Sequence, residues 1–166
     1  MEKVKIVKRN EIDIQRVFNE IRKTTHAVEC GAIVSFLGII RGIGHDEAKV
    51  KKVIYEADFD FALKNLKEIR RRLLDKYPDV KDLYIYHVVD EMNVGDSSIL
   101  IVAISGHRQQ AFKAVEDAIN IIKKETPIWK KEITEKGEYW ISEEEIIKIN
   151  KKDFTRIEKR KANKIF

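Results

Sequence analysis

The sequence has few of the residues that mark disulfide-rich, metal-binding or membrane proteins. Its single cysteine, Cys30, excludes an intramolecular disulfide and a cysteine-based zinc site, and it predicts a reducing, cytoplasmic location. No apolar run approaches the length that crosses a bilayer, and the charged start MEKVKIVKRN lacks the apolar stretch of a signal peptide. The 166 residues contain no repeat and no Gly/Ser-rich or Pro-rich linker, so we expect residues 1–150 to form a single domain.

Basic charge is concentrated at one end of the chain. Residues 151–166 contain seven Lys or Arg and two Asp or Glu, which accounts for the whole formal net charge of +5. Residues 1–150 are therefore neutral overall, and they predict no basic folded surface for a nucleic acid. Two interpretations of this basic tail stay open: a solvated end, or a segment that steers association with an acidic surface.

Apolar residues recur at helical spacing in three segments, and two of these stop at the only prolines of the chain. The segments are 13–23, Phe59 to the residue before Pro78, and Ala111 to the residue before Pro127. Asp13 is suited to cap the first helix. Ser142 and Glu145 have the spacing of a capping box, which predicts a fourth helix carrying Ile146 and Ile147.

Strand patterns alternate with these helices. The apolar run GAIVSFLGII, Gly31 to Ile40, is rich in β-branched residues and predicts a strand buried on both faces. Five further strands are predicted at Val50–Glu56, Leu83–Val89, Ser98–Ser105, Ile128–Ile133 and Tyr139–Ile141. The turns NVGD and EKGE each join two of them. This mixed order predicts an α/β (α+β) domain.

One candidate site lies where a buried strand leads into a helix, at Ser105, Gly106, His107 and Arg108. Free N–H groups and the dipole at a helix start attract anions, and Arg108 adds a bidentate fork suited to phosphate. The alternative is that His107 and Arg108 are ordinary first-turn surface residues.

A second candidate site surrounds Pro127, with Lys123 before it and Lys130 after it. Trp129 lies beside Lys130, and an aromatic neighbour can lower the local polarity and depress a lysine pKa, as amine catalysis needs. The alternative is that Lys123 complements the C-terminal end of a helix and Lys130 is a solvated strand residue.

Other polar residues give weaker signals. Arg41 closes the apolar strand, and a lone arginine there is usually solvated. Three histidines, His26, His45 and His87, show no ligand spacing with one another, so no metal site is expected. The glycines after the apolar strand lack the third glycine of a dinucleotide-binding fingerprint, so no cofactor is predicted from them.

Six stretches between about Gly31 and Trp140 carry a resemblance to a known family. They are GAIVSFLGIIRG, YEA, HVVDEMNVGD, SGHRQQAF, IKKETPIWKKE and GEYW. In their order and spacing they resemble the large, catalytic subunit of molybdopterin synthase. The combination of HRxxAF with PxWKxE is the specific part of this signal.

The resemblance implies a hammerhead-type fold with a mixed sheet, packed helices and a small antiparallel subdomain. It also implies a homodimer of large subunits inside a heterotetramer, with a small ubiquitin-like subunit at each outer end. That small subunit carries sulfur as a C-terminal Gly-Gly thiocarboxylate. The large subunit transfers the sulfur to precursor Z, a cyclic pyranopterin monophosphate, and forms the dithiolene of molybdopterin.

The family's functional positions can be carried over one by one. Lys123 and Lys130 match its catalytic lysines. Arg41, His107, Arg108, Lys131 and Glu132 match substrate-binding or pocket positions. Cations in a partly dry cleft stabilise both the substrate phosphate and the negative charge that develops on acyl–sulfur adducts. Neither a metal nor a bound cofactor is implied, and no catalytic cysteine is needed because the sulfur arrives on the partner.

The chain also departs from the family pattern. Val88 and Asp90 stand where related chains often have arginine and glycine, and Glu144 stands where some carry an arginine near the neighbouring subunit. Two other functions compete with catalysis. A non-catalytic scaffold that docks a ubiquitin-like protein is disfavoured because both lysines and the His-Arg pair are retained. A nucleic-acid-binding module that uses the basic tail is disfavoured by the neutral body.

Overall fold

The computed structural model describes residues 1–45, 47–142 and 145–149, and these residues form two β-sheets and three α-helices. The first sheet has four strands in the order β1 (Val4–Val7), β4 (Val80–Val88), β6 (Ser97–Ser105), β2 (Ala32–Ile39). The second sheet has five strands in the order β5 (Glu91–Met92), β3 (Val50–Ala57), β7 (Ile128–Thr134), β8 (Glu138–Ile141), β9 (Ile146–Lys148). The mixed α+β class predicted from the sequence is confirmed.

The three predicted helices are confirmed as α1 (Ile14–Arg22), α2 (Phe59–Lys76) and α3 (Arg108–Glu125). The Asp13 carboxylate accepts a hydrogen bond from the Arg16 N–H at 2.9 Å and caps α1 as predicted. Both α2 and α3 end just before a proline, whose ring disfavours helical backbone in the preceding residue. Within the described residues, no helix combines the length and the apolar character needed to cross a membrane.

The first sheet is covered on both faces, which explains why β4 and β6 are buried along their length. Leu83 and Ile85 of β4 pack against α2 and α3. Their neighbours Tyr84 and Tyr86 point to the other face, where α1 covers them. The strand β1, which the sequence analysis did not predict, runs parallel to β4 at the edge of this sheet.

The prediction that the apolar run of β2 is buried on both faces is wrong for the single chain. The strand lies at the other edge of the sheet and pairs with β6. Phe36 is 36% exposed, Leu37 is 37% exposed and Ile39 is 61% exposed. A continuous apolar run indicates that both faces of a strand become buried. It does not show whether the residues that bury them belong to the same chain.

The second sheet is entirely antiparallel and contains the predicted hairpin of β7 and β8. The fourth helix predicted from Ser142 is wrong, because Ile146–Lys148 forms β9 and pairs with β8. Ser142 Oγ accepts from the Glu145 N–H and donates to the Glu145 carbonyl, so the two residues of the expected capping box contact each other just before β9. Glu144 and the basic tail lie outside the described residues.

Candidate functional site

The candidate residues 130–132 lie in β7, between β3 and β8, and strand geometry separates them onto two faces. Lys130 and Glu132 share one face, and Lys130 is directly opposite Tyr55 of β3. Lys131 points the other way, where its Nζ lies 2.6 Å from Glu138 Oε2. The structure therefore brings Lys130 together with Glu132 and sets Lys131 apart from them.

Glu132 is only 1% exposed, and both of its carboxylate oxygens have partners. Oε1 accepts from the backbone N–H of His45 at 3.2 Å and lies 3.2 Å from the His45 ring Nδ1. Oε2 accepts from Lys130 Nζ at 3.2 Å. Burial by itself would raise the pKa of Glu132, but the Lys130 ammonium and the hydrogen bonds from His45 outweigh it, so this pKa lies below its ordinary value.

His45 lies in the loop that follows Arg41 and leads into β3. The Gly44 N–H donates to the Ala48 carbonyl at 2.9 Å, and Val50 donates to Gly42 at the same distance, so the loop has backbone bonds of its own. The His45 ring meets the Tyr139 ring edge to face, with 4.4 Å between centroids. Arg41 is exposed at the start of the loop and has no ion-pair partner among the described residues.

The predicted anion site at the start of α3 is partly occupied by a carboxylate of the protein. His107 is the N-cap residue, and its N–H donates to Asp79 Oδ2 at 2.7 Å. Ser105 Oγ donates to the same oxygen at 3.0 Å, and the His107 ring Nδ1 lies 3.3 Å from it. The hydrogen bond from the His107 backbone is the main reason that the pKa of Asp79 lies below its ordinary value.

Gly106 permits this close approach, because an added Cβ would lie 2.5 Å from Asp79 Oδ1. The prediction of free N–H groups therefore does not hold for His107. The guanidinium of Arg108 is exposed and has no ion-pair partner within the described part of the chain.

Lys123 and Arg108 lie near opposite ends of α3. Fifteen residues separate them, which corresponds to about 22 Å along a helix. Lys123 is exposed in the last turn, and Thr126 and Pro127 then lead the chain into β7 and Lys130. The two lysines thus belong to consecutive elements, whereas the His107–Arg108 pair of the same chain lies at the far end of the helix.

An apolar groove runs between the outer side of α3 and the edge strand β2. Its lining combines side chains of both elements, namely Val34, Phe36, Phe112, Val115, Glu116 and Ile119. Phe112 is 60% exposed there. The groove faces solvent in the single chain.

Sequence reasoning missed two residues that the structure places at these sites, His45 and Asp79. His45 was considered as a metal ligand alone, and the described residues contain no group of three or more His, Cys, Asp or Glu that could hold a metal ion. Neither residue lies near its partner in the chain, since 87 positions separate His45 from Glu132. A polar residue in a loop just after a strand-end arginine was the one local signal for His45.

The chain is similar in sequence and fold to known proteins. Residues 7–125 match the family model described as MoaE protein. The molybdopterin synthase catalytic subunit of Pyrococcus abyssi is 42% identical over 113 residues, which are 67% of this chain and 74% of that protein. The molybdopterin synthase structure from Staphylococcus aureus has a TM-score of 0.75 and 32% identity, covering 86% of this chain and 98% of that one.

A further solved structure has the same fold at lower identity. It is the complex of subunits 1 and 2 of molybdopterin-converting factor from Helicobacter pylori, with a TM-score of 0.66 and 21% identity. The similarity covers 87% of this chain and 92% of the matched chain.

Proposed function

We propose that Lys123 and Lys130 are the catalytic lysines of this chain, which belongs to the MoaE protein family and is the catalytic, sulfur-transferring subunit of a molybdopterin synthase. The activity is a sulfurtransferase step of molybdenum cofactor biosynthesis. The observation that carries the assignment is the environment of Lys130. Its ammonium group is half-buried and is held by a carboxylate that is almost fully buried.

The sulfur donor is the C-terminal Gly-Gly thiocarboxylate of a small ubiquitin-like subunit. Two observations support a donor on a partner. Cys30 is the single cysteine, and its partial burial raises the pKa of its thiol, which makes it a poor nucleophile. The related Helicobacter pylori structure is a complex of two subunits.

The acceptor is precursor Z, which brings a phosphate. The thiocarboxylate sulfur forms a bond to a carbon of the pterin side chain, the carbon–oxygen bond at that carbon breaks, and the oxygen leaves with a proton. The product is an acyl–sulfur adduct. Water then adds to the acyl carbon, the acyl–sulfur bond breaks, and the small subunit leaves as a carboxylate while its sulfur stays on the pterin. Negative charge develops on the acyl oxygen during hydrolysis, and the Lys130 ammonium, with Lys123 from the preceding helix, stabilises it. Both Glu132 oxygens have protein partners, and we propose that this carboxylate lines the substrate pocket and orients Lys130.

The phosphate binds at the start of α3, where Arg108 supplies a bidentate fork beside the exposed His107 ring. These residues lie about 22 Å from Lys123 of the same chain, which is too far for one small substrate to contact both. A second copy of the chain resolves this separation. If two α3 helices run antiparallel about a twofold axis near Val115 and Glu116, His107 and Arg108 of one copy lie beside Lys123 of the other.

The apolar groove beside α3 supports this homodimer. Val115 and Glu116 are at the midpoint between Arg108 and Lys123, and both line the groove together with the exposed Phe112. Phe36 of β2, which is 36% exposed, lines it from the other side. A twofold contact buries this surface against its own copy, as isologous interfaces do. We also propose Arg41, which is exposed at the start of its loop, as a substrate contact. Lys131 lies on the face of β7 opposite to Lys130, beside Glu138, and we propose it as a residue of the adjoining pocket wall.

The lysine assignment is tested by reconstitution with thiocarboxylated small subunit and precursor Z. We expect Lys123→Ala and Lys130→Ala each to slow single-turnover sulfur transfer by about 100-fold or more, the usual cost of removing one charge-stabilising donor. Lys124→Ala, which removes the neighbouring charge in the same helical turn, is the matched control and keeps the normal rate. Near-normal rates in both lysine variants would refute the assignment.

The shared site is tested by mixing two inactive variants, Lys123→Ala and Arg108→Ala. If each site takes Lys123 from one copy and Arg108 from the other, every mixed dimer contains one intact site. Random exchange then restores about a quarter of the wild-type sites. No recovery after verified subunit exchange would show that each site uses its own Arg108.

A further inference from the structure

We propose that His45 is a positioning residue of the sulfur-transfer site, which holds one oxygen of the buried Glu132 carboxylate so that the other oxygen stays against the Lys130 ammonium. This inference rests on the proposed function, because it presupposes that Lys130 is catalytic. It adds a residue that belongs to a different segment of the chain, the loop that begins at Arg41.

The proposal is based on the different partners of the two Glu132 carboxylate oxygens. Oε1 of Glu132 meets two groups of His45, the backbone N–H and ring Nδ1, each at 3.2 Å. Oε2 meets Lys130 Nζ. A carboxylate held at one oxygen by two donors cannot rotate freely, so the direction of its second oxygen is set. That direction determines where the Lys130 ammonium rests.

The surroundings of His45 keep its ring in place. Tyr139 of β8 supports the ring from the edge, with centroids 4.4 Å apart. The ring Nδ1 must carry its proton to donate to Glu132, which leaves Nε2 pointing away from the carboxylate. Among the described residues, the ionisable groups beside Glu132 include His45 from the loop, Lys130 from its own strand and Tyr139 directly opposite on β8. Tyr55 of β3 is a further one, and its pKa is raised by burial and also by the charge of Glu132. Lys130 is the cation among them, and the loop is bound to the same carboxylate.

The consequence is a mechanical link between the Arg41 loop and the catalytic lysine. Loss of the His45 ring leaves Oε1 with a single backbone donor. The carboxylate can then rotate, so Oε2 no longer stays against the Lys130 ammonium. Displacing a reacting or charge-stabilising group by a fraction of an ångström slows a reaction without changing how tightly substrates bind. Binding of the small subunit and precursor Z is accordingly expected to be unaffected.

Two substitutions separate the hydrogen bond from the ring. His45→Phe keeps a ring against Tyr139 but removes the donor, whereas His45→Asn keeps a donor at the place of Nδ1 and loses the ring. We expect His45→Phe to slow single-turnover sulfur transfer about tenfold, close to the effect of one charge-assisted hydrogen bond. His45→Asn should recover most of that rate. Equal losses in the two variants, or a normal rate in His45→Phe, would overturn the proposal.

A double-mutant cycle then asks whether His45 acts through Lys130. In the Lys130→Ala background, His45→Phe should cause no further loss of rate, because the group that it positions is absent. Independent, multiplying losses would overturn the positioning role. A normal rate in Lys130→Ala alone would refute the proposed function instead, so the two failures are distinguishable.

A readout without turnover covers the case in which activity is lost through misfolding. Brief acetylation of the intact dimer with its small subunit, followed by mass spectrometry, compares Lys130 with the exposed Lys113. We expect Lys130 to be labelled several-fold faster in His45→Phe than in the wild type or in His45→Asn, because its ammonium is no longer held. Unchanged relative labelling in a folded His45→Phe variant would contradict the proposal.

Discussion

Two acidic side chains are almost fully buried in the described residues, Asp82 in the first sheet and Glu132 in the second, and the protein uses them differently. Asp82 is 2% exposed and Glu132 is 1% exposed. Asp82 pairs with Lys3 and with Arg70, whose Nη2 lies 2.6 Å from Oδ1. In both carboxyls burial alone would raise the pKa, and the neighbouring cations outweigh it and hold the pKa below its ordinary value.

The difference lies in what else the cations contact. Lys3 also donates to the Tyr84 hydroxyl at 2.9 Å, and Arg70 also donates to the Leu83 carbonyl at 2.9 Å. These bonds join β1, β4 and α2 into one network. Lys130, in contrast, has Glu132 as its partner within the described part of the chain, and its other ammonium protons are available. Asp82 therefore stabilises the fold, because both of its cations have further partners. Glu132 instead positions a cation, Lys130, whose remaining N–H groups can bind a substrate.

The largest expected effect separates stability from activity at Asp82. Asp82→Asn leaves Lys3 and Arg70 without their shared countercharge, so the free energy of unfolding should fall by about 3 kcal/mol. Sulfur transfer per folded molecule should not change. Urea denaturation at pH 7 and single-turnover kinetics on the same preparation check both statements. A slower reaction in the folded variant would show that Asp82, like Glu132, affects the reaction and not only the stability.

A buried group that has no countercharge among the described residues, His87, sharpens the comparison. His87 faces Tyr55 edge to face and its ring Nδ1 lies 2.8 Å from the Val88 carbonyl. Burial lowers the pKa of His87 from 6.5 to about 4. Between these values the unfolded chain binds a proton that the folded protein does not, so stability falls as the pH decreases from 6.5 toward 4.

We therefore expect the wild type to lose about 2 kcal/mol of unfolding free energy between pH 7 and pH 5 through His87. His87→Phe should remove that part of the pH dependence, whatever its effect on stability at pH 7. Denaturant titrations at the two pH values measure it. An unchanged slope in the variant would mean that His87 is not neutral in the folded protein.

The next effect is kinetic and concerns the second carboxylate. Glu132→Gln keeps the shape of the side chain and an oxygen acceptor but removes the charge that holds Lys130. We expect sulfur transfer to slow about tenfold, which is about 1.4 kcal/mol, with a smaller loss of stability than in Asp82→Asn. The reverse pattern, a large stability loss with normal kinetics, would show that Glu132 is structural like Asp82.

The smallest expected effect concerns solvated charge, in contrast to the buried pairs. Deletion of residues 151–166 removes the whole net positive charge of the chain. If the tail is a solvated end, the association rate with the small subunit and the salt dependence of that rate should stay unchanged. Stopped-flow association at low and moderate salt is the measurement. A clear decrease at low salt in the truncated chain would favour charge steering.

Local signals were sufficient for most elements of the fold. Asp13 caps α1, and the two prolines end α2 and α3, because capping and proline geometry act within one turn. Ser142 and Glu145 misled the prediction for the same reason. Their spacing fits a helix start and a turn equally well, and pairing of β9 with β8 decides between them.

The candidate site was predictable in its residue types but not in its grouping. The motifs around His107 and Lys130 identified these residues. The strand alternation that separates Lys131 from Lys130, and the helix length that separates Arg108 from Lys123, follow once the element bounds are known. The partnership of His45 with Glu132 does not follow, since no pattern relates residues 87 positions apart.

The sequence by itself determined the helices, most strands, the family and the residue types of the chemistry, because each depends on neighbours within a few positions or on short motifs. Tertiary structure decided which oxygen of Glu132 holds Lys130 and which holds His45, that Asp79 occupies part of the α3 start, and that β2 is an exposed edge. These features depend on distances between segments that are remote in the chain. Packing sets such distances, and the hydrogen-bond partners of a buried charge are fixed by what packing brings within about 3 Å of it.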